Sequence, residues 1–176
     1  LTVYTLVSNP YVINISNLGD PNYVEALCKE SGTSTIEYSD NTLTLKENFN
    51  YYDGSYTIIG KNSAITIQTS VDTRIILSDA LMKMVKLEGN GNAGITISGE
   101  VNVTDTIYSD DITDIIISGN GTLNTSGIIT EGTVTIEGGS LVIDASNTGA
   151  AAIEAENVVI KGGNVKATGG EGSPAI

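Results

Sequence analysis

From Gly94 to the C-terminus, apolar and polar residues alternate in short bursts that close on glycine, and one phrase returns four times. The copies are Ile95-Thr96-Ile97-Ser98-Gly99, Ile115-Ile116-Ile117-Ser118-Gly119, Val134-Thr135-Ile136-Glu137-Gly138 and Val158-Val159-Ile160-Lys161-Gly162. Counted from glycine to glycine the steps are 20, 19 and 24 residues, the length of one solenoid turn and too short for an independent domain. A second alternating run follows each glycine, at Val101-Asn102-Val103, Leu123, Leu141-Val142-Ile143 and Val165-Lys166-Ala167. A third run comes next, at Ile107-Tyr108-Ser109-Asp110, Ile128-Ile129-Thr130-Glu131 and Ile153-Glu154-Ala155-Glu156, and Ala175-Ile176 starts another. Period-two alternation of β-branched residues predicts strands. The Gly, Asn, Asp and Ser between them tolerate the backbone angles of tight corners.

Three short strands per turn, with like residues stacked one turn apart, describe an all-β parallel β-helix. Parallel crossovers are overwhelmingly right-handed, and the coil is expected to follow. Stacking the four phrases on each other predicts one aliphatic ladder of Ile97, Ile117, Ile136 and Ile160. Each buried rung of such a ladder contributes about 1.5–3 kcal/mol. The competing all-β architecture is a Greek-key or jelly-roll sandwich, in which strands successive in sequence would be neighbours.

The first third of the chain has a different character. Of 20 glycines, 16 lie from Gly89 onward, whereas eight of the nine Tyr and Phe residues precede Thr57. Between Asp20 and Gly32 the pattern predicts a short helix, with Asp20 as N-cap, Pro21 at the first helical position and Gly32 past the end. Val24, Leu27 and Cys28 share one face of it, which suits either a cap over the first turn of the core or a surface element. Residues 1–33 are therefore read as an N-terminal extension or cap, and 34–176 as the solenoid. Spacing before Gly89 is too irregular to set the register of the early turns. The sequence stops at Ser173-Pro174-Ala175-Ile176, where a strand should start, so either further residues or a second chain stacking end to end is expected there. Leu1 is not a methionine, and a leader is expected to be missing.

Charge narrows the partners. With 21 acidic against 8 basic residues the net charge is −13, which repels a phosphate backbone and anionic lipid. No apolar run approaches the roughly 20 residues that span a bilayer. The single Cys28 allows no internal disulfide and reads as a small buried apolar residue. With abundant Thr, Asn, Ser and Gly, the chain suits a bacterial secreted or surface protein better than a disulfide-stapled ectodomain.

Ile36-Glu37-Tyr38-Ser39-Asp40-Asn41-Thr42-Leu43-Thr44-Leu45-Lys46 resembles the phrase that opens secreted and wall-attached β-helix modules of Firmicutes. Val134-Thr135-Ile136-Glu137-Gly138-Gly139-Ser140-Leu141 resembles their later turns, as does the stretch from Val158 to Gly170. The resemblance covers about Ser34 to Ile176. Modules of this kind are described as carbohydrate-binding domain-containing proteins. The resemblance implies a pectate-lyase-like β-helix, calcium, and an acidic or cellulosic polysaccharide as partner.

Two sets of residues are candidates for function. Aligned on Ile107, Ile128 and Ile153, three turns place Asp110, Glu131 and Glu156 in one column, with Asp111 and Asp114 beside it. Turns about 4.8 Å apart would set like charges against one another by roughly 1 kcal/mol even in water. Oxygen-rich clusters are what Ca²⁺ takes as ligands, and the alternative is a solvated acidic wall with Lys86 or Lys161 nearby. The other set is Tyr51, Tyr52 and Tyr56, whose rings suit stacking on pyranose sugars or, more plainly, covering the end of the core.

The absence of histidine excludes Ser-His-Asp and Cys-His catalysis and histidine metal sites. No GxxxxGK[ST] phosphate cradle occurs. Glycoside hydrolysis by an Asp/Glu pair, or calcium-assisted lyase chemistry with Arg74 or a lysine as base, stays conceivable, but the solenoid lacks the long insertions that build a catalytic cleft. The reading is a non-catalytic secreted or cell-surface module that binds polysaccharide or a cell-wall or host glycan, with calcium assisting. The alternative is a structural adhesin stalk or self-assembling filament subunit.

Overall fold

The computed structural model describes residues 12–30, 36–46, 55–70 and 74–176. The chain opens with β1 (Val12–Asn14), a 3-10 turn (Ile15–Asn17), helix α1 (Pro21–Glu30), β2 (Ile36–Ser39) and β3 (Thr42–Leu45). Then come β4 (Ser55–Lys61), β5 (Thr66–Ser70), β6 (Arg74–Met82), β7 (Met84–Glu88), β8 (Gly91–Ser98) and β9 (Glu100–Ser109). β10 (Thr113–Gly119), β11 (Thr122–Ile129), β12 (Thr133–Ile136), β13 (Ser140–Asp144), β14 (Ile153–Glu154), β15 (Asn157–Ile160) and β16 (Asn164–Thr168) complete it. These wind into a β-solenoid of about five coils with a single helix. Among the described residues every strand pairing is parallel except that of β2 with β3. The sandwich is thereby excluded.

Three walls result. The first stacks β1, β4, the start of β6, β8, β10, β12 and β15. The second stacks the end of β6, the start of β9 and of β11, then β13 and β16. The third stacks β3, β5, β7, the later halves of β9 and β11, and β14. Strands β6, β9 and β11 each serve two walls by turning a corner midway. The corner of β11 shows as a shift of register between Thr125 and Gly127.

Inward side chains form columns because the pairing is in register. On the second wall Val101, Leu123, Leu141 and Val165 align, and on the third Ile107, Ile128 and Ile153 align, as the alternation predicted, with Val85 of β7 joining the third column. Ile153 N–H donates to Ala175 O at 3.0 Å, as Ile128 N–H does to Ala152 O at 2.9 Å one coil earlier. Ile176 thus continues the third-wall column.

The first wall corrects the predicted ladder. Ile117 pairs with Ile95 and Ile136, not with Ile97, so the column is Ile75, Ile95, Ile117, Ile136 and Ile160. Opposite Ile97 stands Gly119, and a Cβ added to Gly119 would lie 2.1 Å from the Ile97 carbonyl oxygen. The coil between these strands is 22 residues long, as the Thr96–Ser118 hydroxyl contact across it shows, whereas the phrase-to-phrase count is 20. The phrase of the second copy begins two residues earlier relative to the core. Its glycine therefore fills a corner position that an isoleucine fills in the first copy.

Four of these isoleucines, Ile75, Ile95, Ile117 and Ile136, are fully buried, while Ile160 in the last coil is 51% exposed. Polar groups that enter the core are paired: Ser109 and Thr113 hydroxyls lie 2.8 Å apart, Thr113 donates to Gly89 O, and Thr130 donates to Thr113 O. No buried side-chain nitrogen or oxygen among the described residues lacks a partner, as the cost of an orphaned polar group requires.

At the other end α1 forms as expected. Asp20 Oδ1 accepts from Asn22 N–H at 2.9 Å, and Tyr23 and Leu27 enter the core with Val24 packed against it. Cys28 is half-buried rather than fully so, and Gly32 lies outside the described residues. Tyr23 also accepts from Asn14 N–H through its hydroxyl at 2.9 Å, tying helix to β1. β1 already pairs with β4, so the solenoid begins inside the segment read as an extension. β2 and β3 form a hairpin whose two turn residues, Asp40 and Asn41, have φ of 48° and 60°. Those angles are the ones a two-residue type I′ turn requires, and Asp and Asn tolerate them. No described helix is long and apolar enough to cross a membrane.

Candidate functional site

The third wall brings Ile107, Ile128 and Ile153 into one column, which sets Asp110, Glu131 and Glu156 at equivalent places in sequence. Their side chains do not converge. Asp110 accepts the Tyr108 hydroxyl, which pushes the phenol's pKa above its ordinary value. Asp111 Oδ2 accepts from Gly89 N–H at 2.6 Å, and Asp114 Oδ1 from Thr133 N–H at 2.8 Å, so both carboxylates clamp the backbone of a neighbouring coil. Glu131 and Glu156 are exposed. Lys86 pairs with Glu88 at 3.0 Å, and the fields of Asp110 and Asp111 further hold its ammonium charged. Among the described residues no three Asp, Glu, His or Cys side chains gather as a metal ion would use them.

Tyr51 and Tyr52 lie outside the described residues. Tyr56 overturns its expected role as a sugar platform: it is 1% exposed in β4, and its hydroxyl donates to Lys46 O at 2.8 Å. It occupies an inward position of the strand, where a large ring fills the core near its N-terminal end.

A groove on the second wall, lined by amide, hydroxyl and aliphatic groups, went unrecognised in the sequence. It crosses three coils at the elbow where β9 and β11 turn toward the third wall, has a volume of about 220 Å³, and is lined by Asn102, Val103, Thr104, Asn124, Thr125, Ser126, Val142 and Asp144. The register sets Asn102, Asn124 and Val142 in one outward column, with Lys166 next in line. Asn124 Nδ2 donates to Asn102 Oδ1 at 3.0 Å, and Asn102 Nδ2 reaches Glu100 Oε1 at 3.3 Å.

The elbow is held by hydroxyls. Thr125 Oγ1 donates to Asp105 O at 2.9 Å and Ser126 Oγ to Thr104 O at 3.1 Å, which fixes the bulge of β11 against the coil before it. Asp144 closes the groove on the C-terminal side. Hydrogen bonds from Ser146, with a smaller effect from Lys166, hold its carboxyl below the ordinary value, so it is ionised. The signal was present in the sequence. Asn102 and Val142 are the outward residues of runs singled out for their inward Val101, Val103, Leu141 and Ile143, and Asn124 follows inward Leu123.

A larger hollow of about 360 Å³ lies between α1 and β2, lined by Glu25, Cys28, Lys29, Ile36, Glu37 and Tyr38. Burial, and next the field of Glu37, push the Cys28 thiol above its ordinary pKa. A thiol so placed is a poor nucleophile.

The chain is thus a parallel β-solenoid with a groove across three of its coils. No family model, curated protein or solved structure matches the chain.

Proposed function

We propose that the chain is a non-catalytic glycan-binding module, secreted or displayed at a cell surface, which holds an extended polysaccharide in the groove on its second wall. The observation that carries this reading is the column of Asn102, Asn124 and Val142, flanked by Thr104, Ser126 and Asp144 at the coil repeat. Coils about 4.8 Å apart place the amides of Asn102 and Asn124 one above the other on the length scale of one sugar in an extended chain. Amides and hydroxyls are the groups that bond sugar hydroxyls from either side. Of the residues that line the groove only Asp144 is ionisable, whereas glycoside hydrolysis takes a pair of carboxyls.

Affinity electrophoresis through gels cast with polysaccharides tests this directly. Migration is expected to be retarded by at least one neutral polymer, and the retardation is expected to vanish in Asn102→Ala/Asn124→Ala at an unchanged melting temperature. Equal retardation of the variant would remove the groove from the account. Calcium assistance has narrower support, because Asp111 and Asp114 already hold backbone N–H groups. If the corner around Asp110 and Glu131 binds Ca²⁺, millimolar Ca²⁺ raises the melting temperature by mass action and Mg²⁺ does not.

A structural stalk or filament subunit is the second reading, supported by the continuous in-register columns that run from coil to coil. Sedimentation over a hundredfold range of concentration tests it, since axial stacking makes the mass rise with concentration.

A further inference from the structure

The groove's chemistry is more selective than glycan binding in general, and resting on the reading above we infer that its ligand is a polymer of N-acetylated amino sugars. Charge removes one class of competitor. The protein carries a net −13, Asp144 stands ionised in the groove, and Lys166, the cation in register with Val142, lies close enough to Asp144 to act on its carboxyl. A polyuronate entering without a bridging cation meets like charge.

No aromatic residue lines this groove, so stacking on sugar faces is not what holds a chain in it. What it presents at its centre is an amide. Asn124 gives one N–H to Asn102 Oδ1 at 3.0 Å, and among the described residues nothing bonds its own Oδ1 or its second N–H. That leaves one acceptor and one donor in a plane. An acetamido C=O accepts from that N–H and brings a methyl group with it, while its own N–H points the opposite way across the trans amide.

The methyl also has a place. Val142 pairs with Asn124 one coil on, outward and half-buried, about 4.8 Å along the column. It is the one aliphatic side chain in an outward row otherwise built of Asn102, Asn124 and Lys166 from β9 onward. The Thr104 hydroxyl, whose backbone carbonyl holds Ser126, lies beside the amides to meet ring hydroxyls. An acetamido whose C=O accepts from Asn124 lays its methyl on Val142, an apolar contact that an unacetylated sugar cannot make.

The test is a set of titrations of the full chain, followed by amide chemical shifts, with a β-1,4 hexamer of N-acetylglucosamine, cellohexaose, hexagalacturonate and enzymatically released peptidoglycan glycan strands. The first and last share the acetamido chemistry, and comparing them tells which source fits better. The expected result is that the acetylated hexamer binds about fourfold tighter than cellohexaose, the difference one buried methyl group makes. The shifts should centre on Asn124 and Val142. Asn124→Asp is expected to abolish the preference, and Val142→Thr, a surface change that keeps the β-branch, to weaken acetylated binding severalfold. Equal groove binding of cellohexaose and its acetylated counterpart would overturn the acetamido inference while leaving the groove reading standing. Failure of every polymer to shift groove resonances would overturn both.

Discussion

Gly119 shows how one residue sets the line of a solenoid corner. Its φ is +109°, and a Cβ there would meet the Ile97 carbonyl oxygen at 2.1 Å, an atom of a backbone that cannot move aside. Gly149 also has a positive φ, +69°, but nothing lies within 4 Å of its Cβ position. Chemical denaturation should therefore separate two identical substitutions. Gly119→Ala is expected to cost about 3 kcal/mol or more, through strain and steric overlap together. Gly149→Ala carries only the left-handed backbone penalty of about 1 kcal/mol.

Asp144 gives a second prediction at this scale. Its folded pKa lies below the ordinary 3.8, so its hydrogen bonds stabilise the protein above the unfolded pKa, and that contribution disappears as pH falls through the lowered value. Carboxyl carbon shifts followed by NMR should place its midpoint below that of an unperturbed aspartate. Ser146→Ala should raise the midpoint, since Ser146 is the main cause of the shift.

Among the elements, the second and third walls were legible in the sequence from β9 onward, and the first was legible only in kind. Leu123 over Val101 and Ile128 over Ile107 follow from alternation, because those runs contain one inward apolar series each. On the first wall the series Ile95, Ile97 and Ile115, Ile117 each offer two inward residues, and two alignments two residues apart both bury isoleucine. Which one holds depends on whether Gly119 or Gly121 sits over Gly99, and only the close approach of Gly121 to the Gly99 backbone decides it. The β2–β3 hairpin was hidden for a different reason: Asp40-Asn41 supports a solenoid corner as readily as a type I′ turn. The groove was missed because its residues are outward, and alternation weighs the inward ones. Stability should report the same division. Ile117→Ala, at a fully buried rung, is expected to lower unfolding free energy by about 2–5 kcal/mol, and Ile112→Ala, 59% exposed on a corner, by no more than about 0.5 kcal/mol.

The whole molecule is a column whose interior is aliphatic and whose walls differ from one another. Parallel stacking makes an outward residue on one coil the neighbour of its counterpart on the next. A groove, an acidic corner or an amide ladder on this fold is consequently a repeated feature that runs along the axis. Asn102 beside Asn124 and Thr96 beside Ser118 are both consequences of the 22-residue coil. Both the proposed glycan groove and its selectivity depend on that register. The most direct measurement is therefore the set of backbone cross-strand NOEs from the amides and α-protons of Ile115 to Gly119. In-register parallel coils predict contacts to Ala93–Ile97 on one side and Val134–Ile136 on the other, with Ile117 facing Ile95. Contacts placing Ile117 opposite Ile97, or an antiparallel pattern on either side, would contradict the account.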